Sequence, residues 1–120
     1  MKLSKNFMLG ELKCRCGKCQ PIVHDSFVQM LQRLRDDFES PLVINSWYRC
    51  PEHNMSVGGT KNSWHVKGKA VDIDWSEMRS FDKHKLLKLA MKHRFYGLGI
   101  SEGFIHLDGR PPSQKGLWVY

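Results

Sequence analysis

The sequence lacks any apolar run close to the ~20 residues that a membrane-spanning helix needs. Its first residues, Met1 to Asn6, carry positive charge but no apolar stretch and no cleavage pattern, so we expect no secretory signal. It also has no internal repeat and no low-complexity segment. These absences argue against a membrane-spanning protein and a repeat array, and they predict synthesis in the cytoplasm.

What is present fits one small folded domain. The chain has 120 residues, of which 41% are hydrophobic, and it includes four tryptophans. The net charge is +7, from 19 basic and 12 acidic side chains, which favours a polyanionic partner such as nucleic acid or a bacterial cell wall. The basic residues are spread along the chain, so nothing marks a dedicated nucleic-acid arm.

Helical and strand patterns do not alternate regularly along the chain. This order predicts an α+β fold, with a small antiparallel sheet flanked by two to three helices. We expect a single domain over 1–120, with an N-terminal arm over 1–22. The predicted elements are helices over 25–39 and 80–93 and strands over 42–46, 69–75, 98–100, 104–108 and 117–120. Residues 49–68 are predicted as a long loop, and loops of that length are usually functional or organised by a metal.

A carboxylate in the middle of a predicted strand is the first sign of a site. Asp is depleted in strands, yet Asp72 lies within the alternating segment 69–75. His65 precedes it by seven residues, and His106 occupies a second strand pattern. If the two strands pair, His65, Asp72 and His106 converge. Two imidazoles and one carboxylate with an open fourth position have the composition of a catalytic zinc site.

Four cysteines form a second group of candidate ligands. Cys14, Cys16 and Cys19 lie within six residues, and Cys50 follows in the long loop. Together they could hold a second, structural zinc ion. The Cys-x-Cys step is atypical of zinc ribbons, so reduced packing thiols and a disulfide to Cys50 stay open as alternatives.

Several short motifs occur together with the candidate zinc ligands. They are Ser46-Trp47-Tyr48-Arg49, Asn54, Gly58-Gly59, Ser63-x-His65-x-x-Gly68-x-Ala70-x-Asp72 and Phe104-Ile105-His106-x-Asp108-x-Arg110. In combination they resemble the zinc D-alanyl-D-alanine carboxypeptidase family of metallopeptidases. That family includes phage endolysin-like wall peptidases and shares its fold with the hedgehog signalling domain. The resemblance extends from about Phe7 to Arg110.

The resemblance implies zinc held by His65, Asp72 and His106, with Arg49 contacting the substrate carbonyl or carboxylate. The general base is less well specified. Related enzymes often carry an acid three residues before the last histidine, where this chain has Gly103. We expect Asp108, which shares a strand face with His106, or Glu102, in the predicted turn, to take this role.

The leading prediction is therefore a zinc peptidase that hydrolyses peptidoglycan stem peptides or their precursors. The bond is D-Ala-D-Ala in the carboxypeptidase case, and L-Ala-D-Glu or a cross-link in the endopeptidase case. We expect a monomer that needs no nucleic acid and acts on the bacterial cell wall, as a phage lysis protein would. Two alternatives stay open. One is a nucleic-acid-binding module with Trp47, Tyr48 and Trp64 for stacking; the other is a non-catalytic zinc protein that binds the wall.

Overall fold

Five strands form one sheet around which the remaining elements are arranged. A computed structural model describes all residues, 1–120. The strands are β1 (Val43–Ser46), β2 (Ala70–Asp74), β3 (Gly97–Ile100), β4 (Phe104–Asp108) and β5 (Gly116–Val119). The helices are α1 (Leu9–Leu12), α2 (Asp25–Phe38), α3 (Pro51–Ser56) and α4 (Ser80–Lys92), and a 3-10 turn covers Pro112–Gln114. The predicted α+β fold is confirmed.

The spatial order of the strands is β1-β2-β4-β3-β5. The contacts of β1 with β2, β2 with β4 and β4 with β3 are antiparallel, as predicted. At one edge the sheet differs from the antiparallel pattern, because β5 runs parallel to β3. The chain leaves β4, passes the 3-10 turn and reaches the far side of β3. On this path β5 runs in the same direction as β3, so the two strands are parallel.

The alternation of side chains along β2 and β4 separates a core face from a site face. Val71 and Ile73 of β2 and Ile105 and Leu107 of β4 are fully buried in the hydrophobic core. Successive side chains of a strand point to opposite faces, so Asp72 and His106 point the other way. The same pattern that builds the core thus presents the two polar side chains together.

Helix α2 covers part of that core with one apolar stripe. Phe27, Leu31, Leu34 and Phe38 recur at helical spacing and are all buried. Phe27 packs edge-to-face on Trp47, with ring centroids 6.0 Å apart. Since Trp47 lies just before the predicted long loop, this contact fixes the start of the segment that leads to the site.

The predicted loop over 49–68 contains a short helix that the sequence reading missed. Helix α3 begins at Pro51, a residue type favoured at the first helical position, and the Cys50 sulfur accepts a hydrogen bond from the His53 N–H. Gly10 lies within α1, which was not predicted either. None of the four helices is long and apolar enough to span a membrane.

Candidate metal centre and cleft

Strand register places two of the candidate ligands directly opposite each other. Asp72 of β2 pairs with His106 of β4 across the antiparallel ladder. His65 reaches the same point from the preceding turn, where its carbonyl accepts hydrogen bonds from the backbone N–H groups of Arg49 and Gly68. Gly68 has φ +75°, a left-handed conformation that glycine adopts without strain. The structure therefore brings His65, Asp72 and His106 together, with candidate ligand atoms within 4.8 Å of one another.

The hydrogen bond to a backbone carbonyl fixes which nitrogen of His65 carries the proton, and a carboxylate behind His106 favours the tautomer protonated on Nε2. His65 Nδ1 lies 2.7 Å from the carbonyl oxygen of Trp47, which can only accept, so Nδ1 donates. His106 Nε2 lies 2.8 Å from Asp108 Oδ2 and donates to that carboxylate. In the neutral imidazoles the remaining nitrogens, His65 Nε2 and His106 Nδ1, then carry lone pairs.

Both lone pairs face the same carboxylate oxygen. Asp72 Oδ1 lies 3.1 Å from His65 Nε2 and 3.0 Å from His106 Nδ1. Three acceptor atoms without a proton between them repel one another unless a cation is present. All three residues are buried, which makes this repulsion more costly than it would be in water. Two nitrogens and one carboxylate oxygen are a donor set that fits zinc.

Protonation is the alternative to a metal at this cluster, and the pKa shifts show the competition. Burial lowers the pKa of His106, but hydrogen bonds to Asp108 and Asp72 outweigh burial and raise it. For Asp72 the two effects have the opposite signs. Burial raises the pKa of its carboxyl group, but the hydrogen bonds from His106 and His65 outweigh burial, so that the pKa is lowered overall. The cluster therefore attracts a positive charge, which a bound metal ion would supply in place of the proton.

Asp108 lies behind His106 and does not line the cleft. It is fully buried, and its carboxylate accepts from His106 Nε2 and from two nitrogens of the Arg110 guanidinium, at 2.9 and 2.8 Å. Burial would raise the pKa of Asp108, but the bonds from His106 and Arg110 lower it to about 2. This is the placement of a carboxylate that orients a metal-binding histidine.

Glu102, the other expected base, is exposed in the turn between β3 and β4. It is not among the residues that line the cleft, and neither is Asp108. Gly103 has no side chain, and a methyl group added there would meet no atom within 4 Å. The position at which related enzymes often carry an acid therefore has space for a side chain but lacks one. Asp72 is the only acidic residue of the cleft lining.

Arg49 lies beside the cluster, held by three acceptors. Its guanidinium donates to Asp72 Oδ2 at 3.1 Å, to Asn54 Oδ1 at 3.2 Å and to Ser46 Oγ at 3.1 Å. Asn54 is itself buried and donates to the Thr60 carbonyl at 2.7 Å. A Cβ at Gly59 would overlap the Asn54 side chain, which explains the glycine there. The Asn54 and Gly59 positions of the motif thus position the arginine.

The cluster forms the floor of a cleft of about 740 Å³. Three cationic and four aromatic side chains line it: Arg49, Lys67, Arg110, Trp64, Phe104, Trp118 and Tyr120. With a single acid in the lining, the cleft favours an anionic ligand. Two of the three aromatic residues expected to stack on nucleic acid cannot do so, because Trp47 and Tyr48 are buried at 1% and 5% exposure.

A sequence model of the peptidase M15 family matches residues 5–108. The chain belongs to the peptidase M15 family. The resemblance drawn from the motifs is therefore confirmed, and the chain is a metallopeptidase of a zinc-dependent family that acts on peptidoglycan-type substrates. A search of curated proteins found no match.

Strand β5 of this M15 peptidase lies beyond the residues that match the family. Its Trp118 ring stands 5.3 Å from the His106 ring, between centroids, and the Arg110 guanidinium lies 5.0 Å from the Trp118 ring. A Cβ at Gly99 would approach Trp118 Nε1 to 2.6 Å, so the glycine makes room for the indole. The apolar pattern over 117–120 predicts an edge strand but does not indicate that this strand contributes to the site.

The four cysteines of the M15 domain also come together. Their sulfurs all lie within 4.8 Å of one another, and none is in a disulfide. Cys14 and Cys50 are buried, whereas Cys16 and Cys19 are partly exposed. The cluster joins the N-terminal arm to the residue that follows Arg49.

Proposed function

We propose that the chain is a zinc-dependent peptidase that hydrolyses peptide bonds of peptidoglycan stems, as a D,D-carboxypeptidase or as an L-alanyl-D-glutamate or cross-link endopeptidase. The observation that carries the proposal is the convergence of His65 Nε2, His106 Nδ1 and Asp72 Oδ1 at the floor of a cleft. A closed structural site would not open onto a cavity large enough for a peptide.

Under this proposal His65, Asp72 and His106 would hold zinc, and a zinc ion there would supply Lewis-acid chemistry for the hydrolysis of a peptide bond. Asp108 accepts the Nε2 proton of His106 and so keeps Nδ1 free as a ligand. The Trp47 carbonyl does the same for His65. Each histidine is thereby fixed in one tautomer by a group outside the cleft.

Arg49 is proposed to stabilise negative charge on the substrate. Its guanidinium lines the cleft beside Asp72 and keeps 16% of its side-chain surface exposed. A planar guanidinium suits a carboxylate or the oxygen on which charge develops during attack on a carbonyl. The bonds to Asn54 and Ser46 hold this cation in place before the substrate arrives.

The cations of the rim indicate which part of the wall the cleft would take. Arg49, Lys67 and Arg110 face a space that contains one acid, and that acid belongs to the metal cluster. Stem peptides carry free carboxylates, which such a rim would attract. We infer a monomeric protein that acts on the bacterial cell wall, as a phage lysis protein does at cell lysis.

The placement of the predicted bases favours a second candidate function. Asp108 is committed to His106 and Arg110, and Glu102 does not line the cleft. A zinc protein that binds stem peptides without cleaving them would need no free carboxylate. Turnover measurements separate this candidate from the peptidase.

The test is digestion of purified peptidoglycan followed by mass spectrometry of the products. The zinc-loaded chain is expected to release fragments that identify one cleaved bond, and His65→Ala is expected to release none. His84→Ala, which removes an exposed histidine outside the cleft, serves as the matched control and should cleave normally. Binding of stem peptides without any released fragment would overturn the peptidase proposal and support the binding protein.

A further inference from the structure

Three distances between the sulfur atoms of the four cysteines are close to those of a zinc site. Cys14 and Cys50 lie 3.7 Å apart, Cys16 and Cys19 3.5 Å, and Cys16 and Cys50 3.8 Å. A tetrahedral site with zinc–sulfur bonds of about 2.3 Å has sulfur–sulfur edges of about 3.8 Å. A disulfide would require about 2.05 Å between two sulfurs.

Backbone donors surround this cluster as well. The N–H of Lys18 points to Cys16 Sγ, that of Cys50 to Cys14 Sγ and that of His53 to Cys50 Sγ, each at 3.4 Å. Gly17 has φ +73°, the left-handed conformation that lets the turn from Cys16 to Cys19 fold back on itself. Hydrogen bonds to sulfur favour the thiolate form, which is the form that binds metals.

We propose that Cys14, Cys16, Cys19 and Cys50 bind one structural zinc ion, separate from the His65 cluster, which ties the N-terminal arm to the loop that carries Arg49. This site shares no residue with the proposed catalytic centre. Its ligands come only from cysteine, and they lie outside the lining of the cleft. Both features are those of a closed structural site.

The consequence for Arg49 follows from the chain connectivity. Cys50 is the next residue, and the neighbouring Tyr48 donates its N–H to the Leu12 carbonyl of the arm at 3.1 Å. A metal bound by Cys14 and Cys50 would therefore hold both ends of this contact. The second zinc positions Arg49 through the backbone and does not touch the substrate.

Native mass spectrometry of the zinc-loaded chain tests the proposal. We expect two zinc ions in the unmodified chain, one in Cys19→Ser, one in His65→Ala and none in the double variant. Lys18→Ser is the matched control, since it places serine in the same turn without removing a sulfur, and it should keep two. One zinc in the unmodified chain that His65→Ala removes, or a mass lowered by two hydrogens per disulfide, would overturn the proposal.

Two further measurements keep the proposal testable if Cys19→Ser does not fold. In the unmodified chain, the partly exposed Cys16 and Cys19 should resist alkylation until a chelator is added. Rapid alkylation of the zinc-loaded chain would contradict a bound metal. Where Cys19→Ser folds, amide exchange at Tyr48 and Arg49 should be faster than in Lys18→Ser. Equal exchange would contradict the link to Arg49. None of these readouts depends on peptidase activity.

Discussion

Two clusters of residues that could hold a metal ion lie in this small domain, and they are built in opposite ways. His65, Asp72 and His106 combine nitrogen and oxygen, and two of them stand on the paired central strands β2 and β4. The cysteine cluster consists only of sulfur and lies on turns and at the start of a short helix. The first opens onto a cleft, and the second does not contribute to its lining.

This difference indicates that the two clusters have different roles, one in the reaction and the other in the stability of the turns. Regular strands fix side-chain positions precisely and leave one side of the cluster open, which suits chemistry on a substrate. Irregular turns lack that rigidity, and a tetrathiolate zinc would supply it. Arg49 lies at the junction, since it contacts Asp72 of one cluster and precedes Cys50 of the other. Variants that affect one cluster and spare the other test this division.

The largest expected effect is that of Asp72→Asn. It removes the charge on which both histidine lone pairs converge, and with it zinc from the first cluster alone. Loss of several kcal/mol of transition-state stabilisation lowers kcat/KM by about 10³-fold or more. Steady-state kinetics and zinc analysis on the same preparation check this, with Asp82→Asn as the control. Unchanged activity in Asp72→Asn would show that this cluster is not the reaction site.

Arg49→Lys should have the next largest effect. A lysine keeps the charge but loses the fork that reaches Asp72, Asn54 and Ser46, so kcat/KM should fall by about 10²-fold while both zinc ions stay bound. Arg79→Lys, the same change at a side chain 83% exposed, should have no effect. Loss of zinc from Arg49→Lys would instead assign the arginine a role in metal binding.

Asp108→Asn distinguishes an orienting carboxylate from a general base. If Asp108 orients His106, zinc affinity at the first cluster and activity should both fall about 10- to 100-fold. If Asp108 is instead the general base, Asp108→Asn should lower turnover and leave zinc affinity unchanged. Competition with a chromogenic chelator measures the affinity, and the same sample gives the rate. Intact affinity with lost turnover would restore the original assignment of Asp108 as the base.

The smallest effect concerns the glycines of β3 and the following turn. A Cβ at Gly97 would overlap the Asp108 carboxylate, so Gly97→Ala should lower the free energy of unfolding by about 1–3 kcal/mol and disturb His106. At Gly103 the added methyl group meets nothing within 4 Å, and Gly103→Ala should be close to neutral. Thermal unfolding of the two variants checks the difference, and equal midpoints would contradict this packing.

The convergence of His65, Asp72 and His106 could be predicted from strand periodicity, on the condition that the two strands pair. Once β2 and β4 pair, Asp72 and His106 must share a face, and His65 needs only a short turn to join them. The role of Asp108 could not be predicted in this way. It depends on the Arg110 guanidinium, which donates to both oxygens of the carboxylate. The strand face that Asp108 shares with His106 does not indicate that Arg110 also binds this carboxylate.

The edge of the sheet was predictable only in part. The apolar pattern over 117–120 indicated a strand, but its parallel pairing with β3 depends on the path of the preceding loop. That path brings Trp118 and Tyr120 into the cleft lining, where no motif had pointed. Helix α3 was missed for a related reason, since a six-residue helix has too few turns to show a period.

We propose that the mixed histidine and aspartate cluster holds the catalytic metal. The most direct test of this proposal is to remove zinc with a chelator until activity on peptidoglycan is lost, and then to add zinc back in small steps. Activity should return in proportion to refilling of the His65 cluster, and chelated His65→Ala should not recover at any zinc concentration. Full activity in a chain stripped of both zinc ions, or recovery in His65→Ala, would contradict the account.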